Sequence, residues 1–592
     1  MKNYLKSLLM SRLYFFVLLV LCYFDSHSQE IVPGFLKSPV PIPVYISGSF
    51  SELRNNHFHG GIDIRTDGRI GLPVVAPADG YVSRITIEAG NYGKTVFIEH
   101  PSGITTVYAH LDAFSKELTD YIYFHQKAAE SYEVDLTPEP GKFPVKQGDT
   151  FAYSGNSGAS RSPHLHFEVR EGKSNWVINP LLYGLDVKDD IPPVITGIRL
   201  YPAGENSAIE IEYKGKSSTY TRRYFNPVNV AFYKSGGTYR LSGVKMVKVY
   251  GNMGIAIECR DMMNDCGNVL DIYKGELTYK GNTIFAQERQ HFSLDDTRYI
   301  NAHCDYYEKY YHGRNFQRFF LLPNNKISFY TKVENNGLIT GRVYDTGNVE
   351  LRIWDHHLNN VAVEFQVTGT NIKPEEFPVK QKESYLKLFY YDRPNYYSDS
   401  GIELFFPENS FYENVNFVMK ELPARRFTYS GIYKVHKPEI PLQTAFTLRL
   451  KADRLPVKYY SKALVAEVSG ESVRAVGGVY TNGWVEAKVK NFGSYAVVVD
   501  SVAPVVRTVN FVNGSNLKYA KDLKVSIYDL LSGIKSYKAY IDGEWILMEY
   551  DKKKGLLTHR FTTFPDGNEH SFRIIVIDNK DNVKEINLNF KR

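Results

Sequence analysis

Between residues 71 and 170, apolar and polar positions alternate in short runs broken by glycine, proline, asparagine and aspartate. That is the pattern of half-buried strands joined by tight turns. Gly71-Leu72-Pro73-Val74-Val75-Ala76-Pro77 predicts a strand and a turn, and Ala78-Asp79-Gly80 leads into a strand from Tyr81 to Ile87. Residues 95–100 and 104–110 predict a hairpin closed by Pro101-Ser102-Gly103. A turn at Lys146-Gln147-Gly148-Asp149 precedes a strand over 150–154, and alternation predicts another over 164–170. The one stretch here with helical potential is 121–134.

The pattern then restarts. Asp190-Ile191-Pro192-Pro193-Val194-Ile195 opens a second unit, and Asp500-Ser501-Val502-Ala503-Pro504-Val505-Val506 opens a last one in much the same way. Late Asp-rich turns follow each opening, at Trp354-Asp355-His356-His357-Leu358-Asn359-Asn360 and at Ile577-Asp578-Asn579-Lys580-Asp581-Asn582. Such modules resemble immunoglobulin-type sandwiches. The reading is a mainly β chain in five parts. A signal peptide spans 1–28, and a first β unit spans 29–188 with an insertion near 112–143. An immunoglobulin-like region with its own insertion spans 189–370, a further sandwich 371–500, and a last immunoglobulin-like sandwich 501–592.

A chain of 592 residues is too long for one core, which agrees with several units. Aromatic residues reach 14%, with 45 Tyr and 35 Phe, and favour strands. The net charge of +6 is small for this length, and no dense basic block points to nucleic acid. Lys2, Lys6 and Arg12 precede an almost wholly apolar run over 13–24, with small residues at Ser26 and Ser28. The run is short for a bilayer and reads as a cleaved export signal, so the mature chain has no membrane span. The protein is expected in the periplasm or cell envelope, or secreted. Cys259 and Cys266 flank a turn and are either a disulfide or reduced thiols.

Three short stretches carry chemistry: His57-Phe58-His59-Gly60-Gly61-Ile62-Asp63, Tyr108-Ala109-His110 and His164-Leu165-His166-Phe167-Glu168. In a strand, i and i+2 share a face, so His164 and His166 point together while Leu165 and Phe167 face the core. His59 and Asp63 share a face in an extended segment, and His57 has the same parity and is a rival ligand. A catalytic zinc takes three protein ligands and leaves a position for water, which His59, Asp63 and His166 would supply. Tyr108 and His110 share a parity, so that a second histidine beside the metal could handle protons, and Tyr108 is a candidate substrate contact. Arg54 is suited to pairing a substrate carboxylate, or is a plain surface arginine. Glu168 shares the parity of His166 and is either a contact behind the site or a surface carboxylate at a strand end, the second being the preferred reading.

In their order, these motifs resemble the lysostaphin-like, M23-type (LytM) peptidases. Gly61-Ile62-Asp63-Ile64, Ala78-Asp79-Gly80-Tyr81-Val82, Tyr92-Gly93, Tyr108-Ala109-His110-Leu111, Gly148-Asp149 and Pro163-His164-Leu165-His166-Phe167-Glu168-Val169 carry the resemblance over about 45–185. It implies an antiparallel β-fold with an open groove and a zinc ion on His59, Asp63 and His166. It also implies His110 and His164 as catalytic histidines. The family spacing His-x-x-x-Asp selects His59 over His57. The implied substrates are peptide bonds of bacterial peptidoglycan. The segment 112–143 is longer than the family pattern. Competing readings are a non-catalytic wall-binding or hydrolase-activating module, and an envelope scaffold or adhesin with an accessory peptidase unit. An envelope protein is a further expected partner, through the immunoglobulin-like modules.

Overall fold

The computed structural model describes residues 32–373, 376–377, 384–561 and 568–592. The expected signal peptide lies outside the described residues. The chain is mainly β, and its first unit is built on one twisted antiparallel sheet. Its strands are β1 (Ile46–Gly48), β2 (Ile62–Arg65), β4 (Gly80–Ile87), β5 (Lys94–Glu99), β6 (Ile104–Leu111), β8 (Val134–Leu136), β9 (Pro144–Val145), β11 (His164–Glu171) and β12 (Trp176–Ile178). The spatial order is β1-β2-β11-β6-β5-β4-β8, with β12 paired to β11 and β9 to β4. A small second sheet holds β3 (Pro73–Val75), β10 (Thr150–Tyr153) and β7 (Ala113–Phe114) in the order β3-β10-β7.

Alternation on the central strand β11 explains how this sheet makes both a core and a site. Leu165, Phe167 and Val169 are fully buried in the hydrophobic core, together with Ile62, Ile64, Val96, Ile98 and Tyr108. The other face of β11 carries His164, His166 and Glu168. Burying each large apolar side chain contributes roughly 1.5–3 kcal/mol, so the alternation holds the strand's facing firmly.

The long segment after β6 folds as α1 (Lys116–Ala129), five residues earlier than the helical stretch expected at 121–134. Leu118 and Ile122 bury its inner face, and Glu130 ends it in the left-handed conformation at φ 47°.

Downstream, the strands Val194–Lys214 and Val244–Arg260 form a long antiparallel pair within a large sheet. Between residues 395 and 499, two five-stranded sheets enclose a core rich in Phe389, Phe406, Phe411 and Phe446. Two more sheets, over 505–560 and 515–591, enclose the last core around Leu523, Val525, Ile574 and Val576.

The first unit is not packed alone. Met263, Cys266, Leu270, Phe292, Ile300 and Phe329 belong to its hydrophobic core, and the strand His291–Ser293 pairs with β12. Cys259, Cys266 and Cys304 are free thiols. The Cys266 thiol donates to the Ile46 carbonyl on β1 at 3.4 Å, so it works as a packing contact between the units. Farther along the second unit, Phe316, Phe319 and Phe320 are buried. Tyr307, Tyr310 and Tyr311 are about half exposed on the short helix Tyr306–His312.

Candidate metal centre and catalytic site

Asp63 on β2 and His166 on β11 stand directly opposite in the antiparallel register, and His166 stands opposite Ala109 on β6. His59 enters from the turn before β2. The glycines of that turn let the backbone come close, since a side chain at Gly61 would put its Cβ 2.2 Å from the Phe167 carbonyl oxygen. The result is a tight group. His59 Nε2 lies 2.9 Å from His166 Nδ1 and 3.1 Å from Asp63 Oδ1, and His166 Nδ1 lies 2.9 Å from Asp63 Oδ1. All three residues are buried.

What surrounds the three atoms assigns their protons. His59 Nδ1 donates to the Ser49 carbonyl at 2.8 Å, leaving Nε2 with its lone pair toward the group. His166 Nε2 donates to Glu168 Oε1 at 2.8 Å, leaving Nδ1 facing the group. Arg54 donates to Asp63 Oδ2 at 2.6 Å, leaving Oδ1 inward. Three potential ligand atoms thus face one another about 3 Å apart, each residue held by a partner on its far side, and a cation between them would be shared by all three. Two imidazole nitrogens and one carboxylate oxygen are a donor set that zinc accepts, so the residues fit that ion.

Electrostatics agree. Burial pushes the Asp63 carboxyl up, but His59 and the hydrogen bonds from His164 and His166 outweigh it and hold the carboxyl well below its usual range. Burial opposes charge on His166, yet its contacts with Asp63 and Glu168 raise it to about 9. Without a cation, that imidazole therefore keeps a proton, which a metal would displace.

Two further histidines border the group. His164 Nδ1 lies 2.8 Å from the Ser162 carbonyl, and its Nε2 lies 3.4 Å from Asp63 Oδ1. His110 Nδ1 donates to the Ser157 carbonyl at 2.9 Å, and its ring centroid is 4.9 Å from that of His164. Burial first, then the neighbouring His166 and His164, push His110 down to about 3. His110 is therefore neutral at ordinary pH, with the lone pair on Nε2.

The route by which His110 reaches the site differs from the parity argument. Tyr108 pairs with Phe167 and is fully buried, its ring against Phe151 and Phe167, so it is a core residue and not a substrate contact. Strict alternation would carry His110 to the same core face. Instead, His110 adopts φ 60°, and the register between β5 and β6 shifts between the pairs Lys94–Leu111 and Val96–Tyr108. This local irregularity re-aims the ring. His57 stays outside the group, its Nδ1 turned to the Asn55 carbonyl at 2.8 Å.

Arg54 is likewise not a free substrate anchor, because its guanidinium is committed to Asp63 and Glu52. Gly48 makes room for that pair, since a Cβ there would lie 2.5 Å from Arg54 Nη2 and 2.7 Å from Asp63 Oδ2. Glu168, read as a surface carboxylate, is fully buried. It accepts from His166, from Tyr92 Oη at 2.6 Å and from Arg170 Nε at 2.7 Å. Its even spacing from His166 was the available signal; the missing information was the covering of the strand end by Tyr92 and Arg170.

The rim loop after β10 supplies the carbonyls that orient His110 and His164, and the last sandwich holds that loop. Lys553 Nζ donates to the Asn156 and Ser160 carbonyls at 2.6 and 2.9 Å. Lys538 pairs with Glu130 at the end of α1, and Glu549 pairs with Lys94.

Residues 57–140 match Peptidase family M23, and residues 386–500 match a Zu5-like domain. A metalloprotease of Haemophilus influenzae is 31% identical over 166 residues, which are 27% of this chain and 29% of that protein. The DD-carboxypeptidase/endopeptidase Mpg of Neisseria meningitidis serogroup B is 33% identical over 118 residues, 20% of this chain and 21% of that protein. The chain thus spans under a third of each of these curated relatives. A solved zinc-containing peptidase from Vibrio cholerae is 26% identical over 24% of this chain and 37% of that one, with a TM-score of 0.17. The first unit of the chain is an M23-type peptidase domain.

Proposed function

We propose that the protein is an exported zinc metalloendopeptidase that hydrolyses peptide cross-links of bacterial peptidoglycan. In this reading His59, Asp63 and His166 hold the metal, and His110 and His164 are the catalytic histidines. The observation that carries it is the convergence of His59 Nε2, His166 Nδ1 and Asp63 Oδ1 within 3.1 Å of one another, each residue held by a partner on its far side. The substrate class is inferred from relatives named as a DD-carboxypeptidase/endopeptidase and a peptidoglycan DD-endopeptidase. Among the described residues, no helix is long and apolar enough to cross a membrane. The export assignment rests on the N-terminal sequence pattern.

When bound, zinc supplies a Lewis acid for the scissile carbonyl and makes nearby water a stronger acid. The remaining work belongs to the chain. His110 has Nδ1 fixed on Ser157, so its Nε2 carries the lone pair that can take a proton from the attacking water. His164 Nε2 stands on the same rim and can stabilise the developing oxyanion or pass a proton to the leaving amine. Arg54 keeps Asp63 aimed inward, and Glu168 keeps His166 in the tautomer that binds metal.

The test is digestion of defined cross-linked muropeptides by the zinc-loaded chain, with products identified by mass spectrometry. The expected result is loss of the cross-linked species and a new free amine. A chelator abolishes this, zinc restores it, and His166→Ala lacks it. Intact cross-links after prolonged incubation with zinc-loaded, folded protein would overturn the proposal.

A further inference from the structure

We infer that Asp189, Asp261 and Asp355 hold a hard divalent cation, calcium in particular, where the chain leaves the peptidase domain and enters the next unit. Asp189 lies in the connecting segment. Asp261 follows the strand Val244–Arg260 in an isolated bridge with Leu270, and Asp355 directly follows the strand Thr346–Trp354. One carboxylate oxygen from each lies within 4.8 Å of the others.

A cluster of carboxylates can be held by hydrogen bonds alone, and all three are partly so held, Asp261 by the Met262 N–H. Asp355 accepts the Asn359 N–H at 2.9 Å and its Nδ2 at 2.8 Å, and Asp189 accepts the Ile191 N–H at 3.0 Å. Asp261 differs. It is only 4% exposed, and its Oδ1 has no hydrogen-bond partner. Leaving a buried carboxylate oxygen unpaired is costly. Among the described residues, no cation pairs with Asp261. Arg289, which lines the same small cavity of about 40 Å³, is paired with Asp271 at 3.1 Å, and His357 Nε2 donates to the Val187 carbonyl. The three acidic donors are all oxygens on irregular segments, which suits the flexible six-to-eight-oxygen shell of calcium better than the demands of softer metals.

The last sandwich supplies an internal comparison. Asp500, Asp529 and Asp578 repeat the grouping, again within 4.8 Å. Asp578 accepts from Asn582 N and Nδ2 as Asp355 does from Asn359. Asn582 Nδ2 donates to the Asp500 carbonyl at 3.0 Å, as Asn359 Nδ2 does to the Asp189 carbonyl at 3.2 Å. There, however, Asp529 accepts the N–H groups of Leu531 and Gly533, and Asp500 accepts that of Ser532. Backbone amides satisfy the position that Asp261 leaves unsatisfied, so the inference is confined to the first junction.

The consequence is mechanical. The segment from Asp261 to Asp271 packs on β1, where the Asp271 N–H donates to Ser49 Oγ at 3.0 Å. Ser49 also accepts from the metal-site His59. A cation at this junction would hold the second unit against the strand that backs the peptidase site.

The test uses the full, zinc-loaded chain freed of calcium, titrated with calcium chloride by calorimetry and followed by thermal melting. The expected result is binding of about one calcium and a rise in Tm of about 3 °C or more. Asp261→Asn weakens binding at least about 10-fold and removes the Tm rise, whereas Asp529→Asn keeps both. Asp355→Asn is the second variant, should Asp261→Asn lack the wild-type circular dichroism. Three results would overturn the inference. These are no calcium binding by the wild type at millimolar concentration, wild-type affinity in both folded variants, or zinc taken up at this site in preference to calcium.

Discussion

Arg54 donates to Asp63 Oδ2 at 2.6 Å, and so leaves Oδ1 to face His59 and His166. The guanidinium thereby orients a metal ligand from behind and draws charge away from the inner oxygen's neighbour. Arg54→Met should raise the zinc dissociation constant about 10- to 100-fold with the fold intact, as measured by competition with a chromogenic chelator. Gly48→Ala should act in the same direction, because its Cβ would intrude on this pair. Wild-type affinity in both variants would show that the pair does not position Asp63.

Glu168 gathers His166, Tyr92 and Arg170 around one buried carboxylate. Glu168→Ala leaves the Arg170 guanidinium, 12% exposed at its side chain, without its partner. A loss of about 3–5 kcal/mol is expected by denaturant unfolding, with a smaller loss for Glu168→Gln, which keeps one acceptor oxygen. A change below about 1 kcal/mol in Glu168→Ala would contradict the assigned role.

Lys553 reaches from the last sandwich to the loop whose carbonyls orient His110 and His164. Lys553→Ala should lower kcat about 2- to 10-fold while zinc content stays unchanged, since the loop carries no metal ligand. The readout is kcat on a fixed muropeptide beside elemental analysis of the same sample. Loss of zinc, or an unchanged kcat, would count against this bracing.

His303 gives a pH signature away from the metal. It is fully buried between Tyr330 Oη and Gln317, and burial, with Arg289 beside it, pushes it from 6.5 down to about 3. The unfolded chain therefore binds a proton between those pH values that the folded chain refuses. The contribution is fully present above pH 6.5 and declines as pH falls toward 3, with a slope of at most about 1.4 kcal/mol per pH unit. The denaturation midpoint of His303→Gln should fall less steeply than that of the wild type between pH 6.5 and 4. Parallel slopes would contradict the assignment.

The parts of the site that follow a simple period were legible in the chain. His164 and His166 share a face because Leu165 and Phe167 must be buried, and that is a property of the strand alone. His110 was named for the family's motif while its geometry was misjudged, because a positive φ and a register shift break the alternation that sends Tyr108 inward. Glu168 was underestimated because its burial depends on Tyr92, 76 residues away. The packing of Met263 and Cys266 against Ile46 and the reach of Lys553 across the rim have no local signal at all. Hydrophobic pattern can predict that those segments bury something, but not what they bury it against.

The central claim is that His59, Asp63 and His166 share one metal ion. The most direct measurement is elemental analysis of the purified chain after dialysis against trace zinc, run beside His166→Ala with matching circular dichroism. The account predicts about one zinc per wild-type chain that is lost in the variant. Folded wild-type protein that takes up no zinc, or a variant that keeps all of it, would contradict the account.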